Sequence, residues 1–155
     1  MKAAPTEIEI YLRLLAETPR RLTKATKSFD ENRLKLRTAK EMWSVNDILA
    51  HLRACVDVWG DSIGRMLSEE KPTVPYRHPR QWIKKTNYRE LVFDDSLKTF
   101  IIQRKKLLKV LKRLSFEEWS RSAMIKGREH TVFIQVRRMA MHENVHCEQI
   151  EELLK

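Results

Sequence analysis

The sequence predicts an all-α chain folded as a four-helix bundle with a long crossover between the second and third helices. Three observations carry this. Leu, Lys, Arg, Glu and Ala dominate, while only three Gly and five Pro occur in 155 residues, a composition that favours helix. Four stretches repeat apolar residues at helical spacing. Capping and Pro signals separate them. The length suits a single domain over residues 1–155 with a core of its own.

The first helix starts near Thr6 and carries Ile8, Tyr11, Leu12 and Leu15 on one face. Thr18-Pro19 reads as an N-cap followed by a first-turn Pro, so the spacing predicts a kink or break there. A second piece with Leu22, Ala25 and Phe29 facing inward follows it. Residues 30–42 read as a polar connection. Ser44-Val45-Asn46-Asp47 resembles a capping box, opening a helix to about Leu67 whose apolar face is Val45, Ile48, Leu52, Val56, Trp59, Ile63 and Met66. His51 lies roughly 100° round from Leu52, beside Ile48, Cys55 and Val58 at a seam between helices. Bundles build metal and ligand sites at such seams.

Residues 68–91 hold Pro72, Pro75 and Pro79 with several Arg and Lys, a crossover longer than ordinary loops and therefore either functional or mobile. Tyr76, His78 and Trp82 anchor it. The third helix spans about 93–113, burying Leu97, Phe100, Ile101, Leu108 and Leu111 and exposing Arg104, Lys105, Lys109 and Lys112. A helical turn at 116–120 capped by Ser115 precedes an irregular or strand-like stretch at 122–130, with Gly127 as its turn. The fourth helix begins at Thr131 and runs to the end, with Val132, Gln135, Val136, Met139, His142, His146, Ile150 and Leu153 sharing a face.

The fourth helix contains His142-Glu143-Asn144-Val145-His146. Histidines four apart stand one turn above the other, so both can reach one metal ion. The pattern H-E-x-x-H usually denotes a zinc pair with the Glu as general base, which makes Glu143 the candidate catalytic residue. That role depends on a cleft beside a sheet, which an all-helical chain lacks. A carboxylate that orients a ligand His or meets a basic residue is the simpler reading of Glu143. With His51, the pair makes three inward or seam imidazoles: a catalytic-type arrangement with an open position for a divalent ion. Burying three unpaired His would cost stability that a metal returns. Imidazole suits Zn, Ni and Fe alike. Cys55, four residues after His51, reads as a small buried hydrophobe. Gln149 reads equally well as a partner of a ligand His and as a structural polar contact.

Trp43-Ser44-Val45-Asn46-Asp47-Ile48-Leu49-Ala50-His51-Leu52 resembles the W-S-x-x-E-x-L-x-H-L segment of the DinB-like (DinB/YfiT-like) proteins. His142-Glu143-x-x-His146-x-x-Gln149-Ile150 resembles their H-x-x-x-H-x-x-Q-I helix, and Leu15-x-x-Thr18-Pro19-x-x-Leu22 is also typical. The resemblance covers essentially the whole chain. It implies an up-down-down-up bundle, a divalent metal held by His51, His142 and His146, and metalloenzyme activity on a small-molecule substrate. It also implies a homodimer, and some relatives are S-transferases or isomerases that use low-molecular-weight thiols. The chain departs from many members in carrying Val145 in place of a second His, and Cys147-Glu148 in place of Arg-Gly.

A net charge of +10 fits a nucleic-acid partner, an anionic substrate or a merely charged surface. Arg104-Lys105-Lys106 with Lys109, Lys112 and Arg113 reads as a solvated face, and no helix-turn-helix, zinc-finger or stacking-platform signature accompanies it. A non-enzymatic ligand- or nucleic-acid-binding bundle is therefore the rival to the enzyme reading. Arg77, Arg80, Lys84 and Lys85 in the crossover could recognise an acidic substrate near the metal. No run of 18 apolar residues could span a membrane, the N-terminus lacks the apolar core of a signal peptide, and two Cys make no disulfide scaffold. The cytoplasm is the expected compartment.

Overall fold

The computed structural model describes residues 1–155. Four long helices form the bundle: α1 (Pro5–Thr26), α3 (Val45–Ser68), α5 (Phe93–Leu111) and α6 (Val132–Leu153). Two short helical turns, α2 (Glu31–Leu34) and α4 (Pro79–Trp82), lie in the connections. Around the bundle α1 and α3 each pack between α5 and α6, which sets α1 diagonally across from α3.

The core divides into two halves that reveal the helix directions. One half gathers Ile8 and Leu15 from the start of α1, Ile63 and Met66 from the end of α3, Leu111 from the end of α5, and Val132, Phe133 and Val136 from the start of α6. The other gathers Leu22 from the end of α1, Val45, Ile48 and Leu52 from the start of α3, Phe93, Leu97 and Phe100 from the start of α5, and Cys147 and Ile150 from the end of α6. The order is therefore up-down-down-up. Parallel α3 and α5 need a connection that returns along the bundle, and this is why the 69–92 crossover is long.

The crossover is anchored to α3. Asp57 accepts hydrogen bonds from Trp82 Nε1 (3.0 Å) and from the Tyr88 hydroxyl. Buried Arg53 stacks over the Tyr88 ring at 3.9 Å and donates to Ser96 Oγ at the start of α5. The 122–131 stretch is a hairpin, β2 (Ser122–Ile125) against β3 (Arg128–Thr131). Lys126 and Gly127 turn it with positive φ of 53° and 74°, the primed turn that a right-twisted hairpin prefers. A third strand, β1 (Thr73–Val74), pairs parallel with β2. Two residues between Pro72 and Pro75 are too short to show the alternation that marks a strand.

Capping follows the sequence at the site-bearing helices. Ser44 Oγ accepts from the Asp47 N–H at 3.0 Å, and Asp47 Oδ2 accepts from the Ser44 N–H at 2.9 Å, which fixes the start of α3. Thr131 caps α6 by accepting from the Ile134 N–H.

Two expectations are corrected. The first helix does not break at Pro19: α1 runs continuously through it. An interior Pro leaves the carbonyl four residues earlier without its helical donor, and here that carbonyl, Leu15 O, accepts from Arg104 Nη1 at 2.8 Å. The second concerns Arg104 itself, which is only 2% exposed rather than part of a solvated face. Its position between Phe100 and Leu108 places it on the apolar stripe of α5, and its charge is met there by Glu143.

Candidate metal centre

Second-turn residue His51 of α3 and mid-helix residues His142 and His146 of α6 meet where these two helices pack. His142 Nε2 lies 3.2 Å from His51 Nε2 and 3.1 Å from His146 Nε2. The ligand-capable nitrogens of all three are within 4.8 Å of one another. The stagger of the pair on α6 follows from 3.6 residues per turn, and the α3 capping box fixes the height at which His51 joins it.

The walls are aromatic. The Trp43 ring centroid is 4.9 Å from that of His51 and 6.4 Å from that of His146, and Trp59 meets His142 edge-on at 5.2 Å. Arg80 from α4 stacks over Trp43 at 4.6 Å, which brings a positive charge to the mouth. Sequence reasoning did not single out either Trp as part of the site. Spacing was an available signal for Trp59, which lies eight residues after His51 on α3, about two helical turns. Trp43 precedes the Ser44 cap and has no helical register with His51.

The imidazoles are held neutral. Burial, then the neighbouring His142 and His146 and the Arg80 charge, push the His51 pKa down to about 3. Burial, His146 and Arg80 push His142 down to about 4. His146 is also lowered by burial, though its contact with Gln149 opposes this. His146 Nδ1–H donates to Gln149 Oε1 at 2.8 Å, so its Nε2 carries a bare lone pair.

The donor set fits a divalent cation. With His146 Nε2 an acceptor, one proton on His142 Nε2 cannot be aimed at both neighbours. At least one Nε2 pair at 3.1–3.2 Å is therefore left without an aligned hydrogen bond, and a cation shared by three Nε2 lone pairs would satisfy all three rings together. Three neutral imidazoles converging through Nε2 are the ligand type that borderline transition metals take.

The other candidates sit differently. Both carboxylate oxygens of Glu143 face away to Arg104, with Nη1–Oε1 at 2.7 Å, and Oε1 also accepts from Thr18 Oγ1 at 2.8 Å. Glu143 is 1% exposed, and it ties α6 to α1 and α5. Cys55 Sγ is 3.6 Å from His51 Nε2, and burial drives its thiol far above the ordinary range. Burial also pushes Cys147 up to about 11. Neither sulfur is a ready thiolate. In the crossover, Arg80 reaches the mouth as described, while Arg77 pairs with Asp61 and lies over Trp82.

This bundle, with three His at one helix seam, places the chain in a recognisable class. The DinB superfamily matches residues 14–150, and the chain belongs to it. Among solved structures it is similar to YfiT from Bacillus subtilis, with a TM-score of 0.84 and 17% identity over 98% of this chain and 88% of that one. YfiT is described as a probable metal-dependent hydrolase with an unusual four-helix bundle topology. No curated protein matches the sequence significantly. No helix is long and apolar enough to cross a membrane.

Proposed function

We propose that this protein is a metal-dependent enzyme acting on a small molecule, with His51, His142 and His146 holding one Zn, Ni or Fe ion through their Nε2 atoms. The convergence of three neutral imidazoles, with His146 fixed by Gln149, is the observation that carries the reading. Bound there, the ion supplies Lewis-acid polarisation to a substrate or nucleophile. The chain's own residues bind and orient. Trp43 and Trp59 shield the centre and exclude water from two sides. Arg80 attracts negative charge to the mouth.

The nucleophile comes from outside the chain. Glu143 is spent on Arg104 and Thr18, and both thiols are closed off from solvent. Water or a low-molecular-weight thiol fills that role, so the reaction is hydrolysis or S-transfer. The description of YfiT favours hydrolysis. The test is a paired screen of the metal-loaded protein, with activated esters and amides in one arm and electrophiles plus small thiols in the other. Turnover that is abolished by chelation and by His51→Ala is expected in one arm. Turnover that survives both changes would overturn the proposal.

A further inference from the structure

A cavity of about 230 Å3 lies between α3, the start of α6 and the β2–β3 hairpin. It adjoins the three-His seam, because Trp59 lines it while meeting His142 edge-on. Four cationic side chains line it: Arg77, Lys126, Arg128 and Arg138. No carboxylate does.

Two of these cations are already engaged. Arg77 pairs with Asp61, and Lys126 lies 4.7 Å from the centroid of Tyr76, another lining residue. Arg128 and Arg138 form no ion pair. They come from different elements, β3 and α6, and both line the cavity. Their combined field is felt by His130, which lines the cavity beside them: after burial, Arg138 and Arg128 are what lower its pKa. Gln135, another lining residue, is 2% exposed with no partner for its Oε1, an acceptor open to a hydroxyl or amine of a bound molecule rather than to its anionic oxygens. Like charges gathered around a concave surface repel one another and are relieved by a bound anion.

We propose that this cavity is an anion-binding subsite, in which Arg128 and Arg138 grip the carboxylate or phosphate of a small polar molecule. Its place behind Trp59 makes it the site for the anionic end of the substrate worked on at the three-His centre. That second half rests on the function proposed above, whereas the anion site itself does not. The volume admits a small molecule or the charged end of a larger one.

The test is calorimetric titration of the full-length, metal-loaded protein with inorganic phosphate in one arm and succinate in the other. The probes are run on the wild type, on Arg128→Ala/Arg138→Ala and on His142→Ala/His146→Ala. Both arginines are exposed, so their removal should leave the fold intact, which circular dichroism checks. Saturable binding of at least one probe is expected, weakened by about tenfold or more in the arginine variant and retained in the histidine variant. The arm that binds tells phosphate from carboxylate. Metal content should be the same in the arginine variant as in the wild type. Binding that survives loss of both arginines, or that disappears only with the histidines, would overturn the proposal, as would no binding of either probe. A wild type that binds phosphate or succinate in this way but holds no metal would leave the subsite standing and sink the metal-enzyme reading.

Discussion

Replacing Arg104 by Met should destabilise the protein far more than a surface Arg would. The guanidinium donates to Leu15 O and to both oxygens of Glu143, and the two charged side chains are 2% and 1% exposed. The substitution leaves a carboxylate buried with only Thr18 as partner, together with a carbonyl that Pro19 has already deprived of its helical donor. Breaking one side of such a pair costs about 3–5 kcal/mol. For a chain of this size each kcal/mol moves Tm by roughly 2–4 °C, so a drop of about 6–20 °C is expected. The double variant Arg104→Met/Glu143→Leu removes both charges and should recover much of that loss, because buried pairs are often replaceable by apolar side chains. Urea unfolding of the wild type, both single variants and the double variant gives the coupling energy. A loss under about 1 kcal/mol for Arg104→Met, or strict additivity in the cycle, would refute the assignment of Glu143 to a structural ion pair.

Three further outcomes follow from the geometry. Gln149→Leu removes the acceptor that orients His146 and should weaken metal affinity by about 10–100-fold, as measured by competition with a chelating dye; unchanged affinity would deny Gln149 that role. The metal-free protein should lose stability as pH falls below 6.5, the ordinary value for His. Between there and the folded values of about 3 for His51 and about 4 for His142, the unfolded chain takes up protons that the folded chain refuses. His51→Phe should make that decline of Tm shallower, and an identical slope would contradict the reading. Pro19→Ala restores the N–H missing from α1 and should stabilise by about 1–2 kcal/mol; destabilisation on denaturation would show that the Pro is better accommodated than the contacts indicate.

Much of this structure was legible in the residues, and the reasons differ by element. Ser44 and Asp47 announce the start of α3, and the spacing of His142 and His146 already sets two imidazoles one above the other. Those are local facts, and local sequence reports them well. Pro19 shows the limit. By itself it signals a break, and only a donor 85 residues away, Arg104, allows the helix to continue. Arg104 could have been suspected, because its spacing from Phe100 and Leu108 puts it on the apolar stripe, but a charge there is read as solvated until its partner is known. Glu143 is the counterpart case. H-E-x-x-H suggests a base at the metal, yet one residue of helix rotates a side chain by about 100°, and this carboxylate turns from the histidines toward α1 and α5. The basic cavity draws on α3, the crossover, the hairpin and α6, and no single stretch encodes it.

The central claim is that His51, His142 and His146 hold one metal ion. Its most direct test is the metal content, by inductively coupled plasma mass spectrometry, of untagged protein purified without chelator, beside His142→Ala/His146→Ala. About one ion per chain in the wild type, with none in the variant, is the expected result. A wild type with no ion that takes up none on titration, or a variant that keeps its ion, would contradict the account.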